Sequence, residues 1–139
     1  MGAADAARAI VTRDLSPVDL TRTLLERIER LDPKLNVFIR LDADAAMDAA
    51  KSAEAEIAAG RPRGSLHGVP VGIKDIIDVV GLPTTCHSKV LIDNIAIADA
   101  VCVSRLRGAG AIVLGKLSTH EFAIGGPSFD LPWPPARNP

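Results

Sequence analysis

The chain has no tyrosine, and aromatic residues make up only 3% of its 139 positions. Its core therefore cannot rest on large rings, and falls to Ala, Val, Ile and Leu, a composition that suits helices packed against a sheet. Charge of one sign is missing too. With 16 basic and 17 acidic side chains, no broad field exists to attract nucleic acid or an anionic membrane. Arg61-Pro62-Arg63, the densest basic spot, reads as a solvated turn. No apolar run is long enough for a secretory signal or a bilayer span, and Ala6 stands where a myristoylation signal needs Ser or Thr. The cytoplasm is the default compartment. The two cysteines, Cys86 and Cys102, form neither a Cys-x-x-Cys pair nor a disulfide framework, and read as free thiols. His67, His87 and His120 are too scattered for a metal site, and His120-Glu121 lacks the second histidine of the zinc-protease pattern. No phosphate loop or nucleotide fingerprint occurs, so no cofactor and no metal are expected.

What is present is an apolar fraction of 47%, enough for one domain with a sizeable core, and one unusual stretch, Gly64 to Cys86. Val69, Val71 and Ile73 precede Lys74, and Ile76, Ile77, Val79 and Val80 follow it. Such β-branched composition predicts extended chain passing through a core. Alternation then puts Val69, Val71, Ile73 and Asp75 on one face, and Gly72, Lys74, Ile76 and Asp78 on the other. Lys74 therefore sits beside a residue without a side chain, and the space over Gly72 could admit another chain segment or a substrate. The plainer reading is a lysine at a strand end, its stem packed on apolar neighbours and its head in water or paired with Asp75 or Asp78.

Around this stretch the chain reads as α/β. Ser16-Pro17-Val18-Asp19 opens a helix, with Ser16 as N-cap, Pro17 at the first helical position and Asp19 placed for a capping box. Leu20, Leu24, Ile28 and Leu31 recur at helical spacing, and Asp32-Pro33 is expected to stop the helix. Leu35 to Leu41 reads as a short strand, and Ala43 to Ala59 as an Ala-rich helix stopped by Gly60. Gly81 to Ile97 is mostly loop. A helix from Asp99 to Arg107 ends at Gly108, and Ala111-Ile-Val-Leu114 is a short buried strand. Strand, helix and strand in that order predict a right-handed crossover with parallel strands. The division is a helical part over 1–60, a strand-helix-strand core over 64–125, and a proline-rich extended end over 126–139. In that end, Phe129, Leu131 and Trp133 are apolar enough to need a surface.

Three segments in order, Gly68-Val-Pro-Val-Gly-Ile-Lys-Asp75 with Gly81-Leu-Pro-Thr-Thr85, Gly108-Ala-Gly-Ala-Ile-Val-Leu-Gly-Lys116, and Glu121-Phe-Ala-Ile-Gly125, resemble the amidase signature family. The resemblance implies the N-terminal portion of that fold, helices on a mostly parallel mixed sheet, truncated, with 1–139 forming the front of a single amidase domain. It also implies a Ser–Ser–Lys triad in which Lys74 is the catalytic base. The two serines of that triad belong to a Gly/Ser-rich segment that comes later in the family's sequences. Where the family usually has a small residue, often Gly, this chain has His87.

The implied activity is hydrolysis of a small-molecule amide to carboxylate and ammonia or amine through an acyl-enzyme. The alternatives are the amidotransferase subunit that amidates mischarged tRNA, and a non-catalytic remnant or binding module. A free lysine, with a pKa near about 10.4, is almost never neutral at pH 7, so burial among Val and Ile is expected to assist Lys74. Gly72 and Gly68 are expected to shape the space around it. Ser16, Ser52, Ser65, Ser88, Ser104, Ser118 and Ser128 lie outside Gly-x-Ser-x-Gly and Ser-x-x-Lys contexts and read as caps, helical positions and turns. The 139 residues alone are expected to be inactive, marginally folded or self-associating, with homo-oligomers allowed, and the reading frame is expected to continue into the missing segment.

Overall fold

The computed structural model describes residues 1–126 and 129–139. Pro127 and Ser128, within the predicted extended end, lie outside the described residues. Helix α1 (Ala3–Val11) comes first; it falls in the expected helical part over 1–60, but its own bounds are not legible in the sequence, because only Ala6 and Ile10 along it are buried. Helix α2 (Pro17–Leu35) begins as its sequence predicts, with Ser16 Oγ accepting from the N–H groups of Val18 and Asp19. The Asp19 carboxylate turns instead to Arg22, 2.6 Å away.

Asp32-Pro33 does not stop α2. Pro33 stands in the final turn, and the helix runs on until Asn36 takes the left-handed conformation, its N–H donating to the Asp32 carbonyl. The Asp32 carboxylate then accepts from the N–H groups of Val37 and Phe38, which turns the chain into strand β1 (Phe38–Leu41). Helix α3 (Ala43–Ala58) follows and ends before Gly60 at φ +72°.

Strand β2 (Pro70–Lys74) is shorter than the apolar run around it. Its neighbour β3 (Ile112–Leu117) ends opposite Lys74, and after the bond from Asp75 N–H to the Leu117 carbonyl the chain has no strand left to pair with. It turns at once, Ile77 N–H donating to the Lys74 carbonyl. The segment from Gly81 to Ile97 is mostly loop, with a short 3-10 turn over Lys89–Leu91 and an isolated bridge between Pro83 and Ile95. Helix α4 (Val101–Gly108) then leads into β3.

The sheet is mixed, in the order β1-β3-β2, with β2 parallel and β1 antiparallel to β3. Ile73 and Val113 face Val79, Leu82 and the α4 residue Val103 on one side. Ile112 and Leu114 face Ala46 and Ala50 of α3, with Val18, Leu25 and Ile28 of α2, on the other. Helix α1 closes one corner through Ile10 against Ile57 and Val69. Among the described residues β1 and β2 are the sheet's two edges, and Val90, Ile97, Val101 and Ile124 leave apolar side chains in water.

The far end of the chain folds back. Arg137 N–H donates to the Leu35 carbonyl, and Asn36 Nδ2 donates to the Pro135 carbonyl. Leu131 and Trp133 are half-buried, as their composition requires, while Phe129 is exposed.

Candidate active site

Ligands in α/β sheets bind beyond the carboxyl ends of parallel strands, and β2 and β3 end side by side at Lys74 and Leu117. A cavity of about 300 Å³ opens there, lined by Lys74, His87, Ser118, Thr119 and His120, with Leu131 and Pro135 of the returning end across from them. Lys74 faces away from Asp75, as strand alternation predicts, since Ile73 and Asp75 are buried and Lys74 is not.

Lys74 is exposed, which corrects the expectation that burial among Val and Ile surrounds it. The reason is its position in the sheet. Lys74 lies on the face that α2 and α3 cover at β3 but not at the edge strand β2. Among the described residues, no ion pair or hydrogen bond holds its ammonium, and Asp78, also exposed, does not reach it. The space over Gly72 is taken by another chain segment and is not left for a substrate. A Cβ there would lie 2.8 Å from Leu117 Cδ2, so Leu117 fills that position. Gly68 packs under Pro17 and Ile10, on the opposite side of the domain from the cavity, at φ +82°.

The buried lysine is Lys116, which sequence reasoning does not single out. β3 carries a bulge. Val71 pairs with Val113 but Gly72 pairs with Gly115, so Leu114 is the extra residue. Strict alternation would send Lys116 to the face of Ile112 and Leu114. The one-residue slip places it opposite Ile73 instead, on the face of Asp75. A Cβ on Gly115 would stand 2.1 Å from the Arg40 carbonyl oxygen, so the bulge and β1 can pass each other only at glycine.

Lys116 Nζ donates to the Pro83 carbonyl and to Thr84 Oγ1, each at 2.9 Å, and lies 3.0 Å from Asp75 Oδ1. Both side chains of the pair are fully buried. Oδ1 has no aligned hydrogen bond of its own and is held by charge. Oδ2 accepts from Thr85 N–H, from the Thr85 hydroxyl and, at 3.4 Å, from His87 N–H. The ammonium thus makes two hydrogen bonds and one ion-pair contact. The pair ties the end of β2, the end of β3 and the Thr84–His87 loop into one piece, which is a structural task.

That loop carries His87, where the family resemblance implies a small residue. Cys86 and His87 adopt φ of +51° and +58°, a region glycine enters freely and other residues enter at a cost. A small residue, as the resemblance implies here, would avoid that cost. The His87 ring is nonetheless buried, edge-on to Trp133 with ring centroids 5.6 Å apart and an interplanar angle of 86°. Burial pushes the neighbouring Cys86 thiol up, and the Asp75 carboxylate adds to the shift while Lys116 opposes it, so this thiol is a poor nucleophile at neutral pH.

Ser118, read from sequence as a turn residue, follows the last residue of β3 and is half-buried beside His87. Ser128 is outside the described residues. His67 lies elsewhere: its ring is buried under α3, with Nδ1 accepting from Arg63 N–H and Nε2 3.4 Å from Glu56. Among the described residues, no group of three or more His, Cys, Asp or Glu could hold a metal ion, and no helix is long and apolar enough to cross a membrane.

A family model described as Amidase matches residues 19–139. The chain is 41% identical over 137 residues to a glutamyl-tRNA(Gln) amidotransferase subunit of Acidothermus cellulolyticus, covering 99% of this chain and 27% of the relative. It is 45% identical over 131 residues to the subunit of the same name from Aromatoleum aromaticum, covering 94% and 26%. It thus spans about a quarter of the length of the curated relatives it matches. Among solved structures, the native peptide amidase of Stenotrophomonas maltophilia superposes with a TM-score of 0.81 at 37% identity, covering 88% of this chain and 25% of that one. An inhibitor-bound member of a vestigial complex, described as revealing the origins of an s-triazine catabolic enzyme, superposes with a TM-score of 0.93 at 31% identity, covering 100% and 31%.

Proposed function

The chain belongs to the amidase family, and on that premise we propose that Lys74 is the base of a Ser–Ser–Lys site that hydrolyses carboxamides to carboxylate and ammonia or amine. The observation that carries this is the placement of Lys74. It is the last residue of a strand, at the carboxyl end of the parallel pair, and lines the cavity there, while the other lysine of the region is consumed by Asp75, Thr84 and Pro83.

In this reading residues 1–139 form the front part of one amidase domain. Neutral Lys74 draws a proton, through a bridging serine, from a nucleophilic serine whose oxygen attacks the amide carbon. The C–N bond breaks, the amine leaves with a proton, and water cleaves the acyl-enzyme. The desolvation that a neutral lysine needs is not supplied by its present neighbours, and falls to substrate and to protein packed over the cavity. In this reading both serines belong to a later family segment, and residues 1–139 without that segment release no ammonia.

A second reading is favoured by the names of the curated relatives: the same amide cleavage supplies ammonia to an amidotransferase that works with partner subunits on mischarged tRNA. Substitution of residues 1–139 for the matching quarter of the Aromatoleum subunit and, separately, of the Stenotrophomonas peptide amidase tests both. Recovery of turnover in one scaffold only selects the reading. In whichever scaffold is active, Lys74→Met should lower ammonia release by about 10²-fold or more, the share of a positioned base. An active graft indifferent to Lys74→Met would sink the assignment, and failure of both grafts to turn over would leave the non-catalytic binding module as the reading to pursue.

A further inference from the structure

The cavity holds a second reactive arrangement that does not depend on Lys74. His87 Nε2 lies 3.0 Å from the Trp133 carbonyl oxygen. A carbonyl can only accept, so Nε2 carries a proton, and in the neutral imidazole Nδ1 is then left with a lone pair. Ser118 Oγ stands 3.4 Å from that Nδ1, and its hydroxyl therefore donates to the ring. The ring cannot swing away. It is buried against Trp133, and its own backbone N–H is tied to Thr85 Oγ1 at 3.0 Å. Ser118 is fixed as well, since its N–H donates to the Val37 carbonyl at 2.7 Å. Serine, imidazole and carbonyl thus stand in the order that activates a hydroxyl: the imidazole accepts the serine proton, and the carbonyl holds the imidazole in the required tautomer.

We propose that Ser118 is a nucleophile toward activated acyl and phosphonyl donors, with His87 as its base and the Trp133 carbonyl as the group that orients the base. With a fluorophosphonate, a bond forms between Ser118 Oγ and phosphorus, the phosphorus–fluorine bond breaks, fluoride leaves, and the serine proton passes to His87 Nδ1. The substrate class is esters with good leaving groups. Amides, whose leaving nitrogen must be protonated, stay untouched by this pair. Since neither Ser118 nor His87 belongs to the Ser–Ser–Lys reading, this inference stands or falls separately from it.

The test uses the 139-residue chain, a fluorophosphonate probe and peptide mass spectrometry. Label is expected at Ser118 and not at Ser52 or Ser65, with Ser118→Ala abolishing it and His87→Gln slowing it about 10²-fold. Ser118→Cys supplies a measurement that leaves the histidine in place. Iodoacetamide should modify the thiol at position 118 faster than the exposed Cys102 of the same molecule, because the imidazole draws off its proton. Absence of label at Ser118, unchanged labelling in a folded His87→Gln chain, or a thiol at position 118 slower than Cys102 would each overturn the proposal.

Discussion

Replacing Lys116 by Met removes a charge from a site where both partners are fully buried. The methionine fills most of the lysine stem's volume, so packing changes little and the effect isolates the ammonium. Lost with it are two hydrogen bonds of 2.9 Å and the 3.0 Å contact to Asp75. Asp75 keeps the donors on Oδ2 but has nothing left on Oδ1. Breaking one side of a buried pair costs about 3–5 kcal/mol, chiefly because the remaining charge is stranded. With a urea dependence of about 2 kcal/mol per molar for a small domain, the unfolding midpoint should fall by about 2 M. Adding Asp75→Asn to Lys116→Met should restore part of that loss, with a coupling of at least about 1 kcal/mol between the two positions. Lys74→Met is the control: at an exposed position it should move the midpoint by less than about 0.5 kcal/mol equivalent. A Lys116→Met midpoint within about 0.5 M of wild type (about 1 kcal/mol at that slope), or strictly additive double-variant losses, would refute the structural role given to this pair.

Desolvation holds the buried His67 ring below its ordinary basicity, outweighing the pull of Glu56. The unfolded chain then binds that proton more tightly, so the histidine's share of stability is complete above about pH 6.5 and is lost as pH falls toward the folded value; in His67→Asn, urea midpoints measured across that range should lose this slope. Iodoacetamide should modify Cys102 at least about tenfold faster than Cys86, whose thiol is pushed up by burial, as read by peptide mapping over time. Gly115→Ala should destabilise by about 3 kcal/mol, since the added methyl meets backbone atoms of Arg40 and Leu41 that cannot move independently, and thermal unfolding will show it.

The features legible in the sequence are those that local chemistry decides. Ser16 and Pro17 start α2 as they do wherever they occur together before a helical stripe, Gly60 ends α3, and strand-helix-strand order yields parallel β2 and β3. What escapes is settled by partners far away in the chain. Helix α1 buries only two residues, too narrow a stripe to register as a period. Pro33 reads as a stop because proline breaks helix interiors, but in a last turn little remains for it to disrupt. The contact of His87 with Trp133 spans 46 positions, and no spacing rule connects them. A histidine where the resemblance implies a small residue is the visible signal in this loop, and the left-handed φ is its physical content.

The two lysines show where sequence reasoning runs out. Lys74 ends its strand after Val-Gly-Ile, Lys116 stands one residue before the end of its own after Val-Leu-Gly, and by composition either could be the buried one. The longer apolar run on both sides of Lys74 points to that residue. The sheet decides otherwise by a single inserted residue. The slip at Leu114 turns Lys116 toward Asp75, and the edge position of β2 leaves Lys74 in the open cavity. The aspartate next to Lys74 in the chain thus pairs with a lysine on the neighbouring strand, and among the described residues no carboxylate forms an ion pair with Lys74. A base needs that freedom, since an adjacent carboxylate would stabilise the protonated form. The buried pair therefore serves the proposed chemistry indirectly: it consumes the carboxylate nearest to Lys74 in the chain, and anchors the loop that brings His87 to the cavity wall.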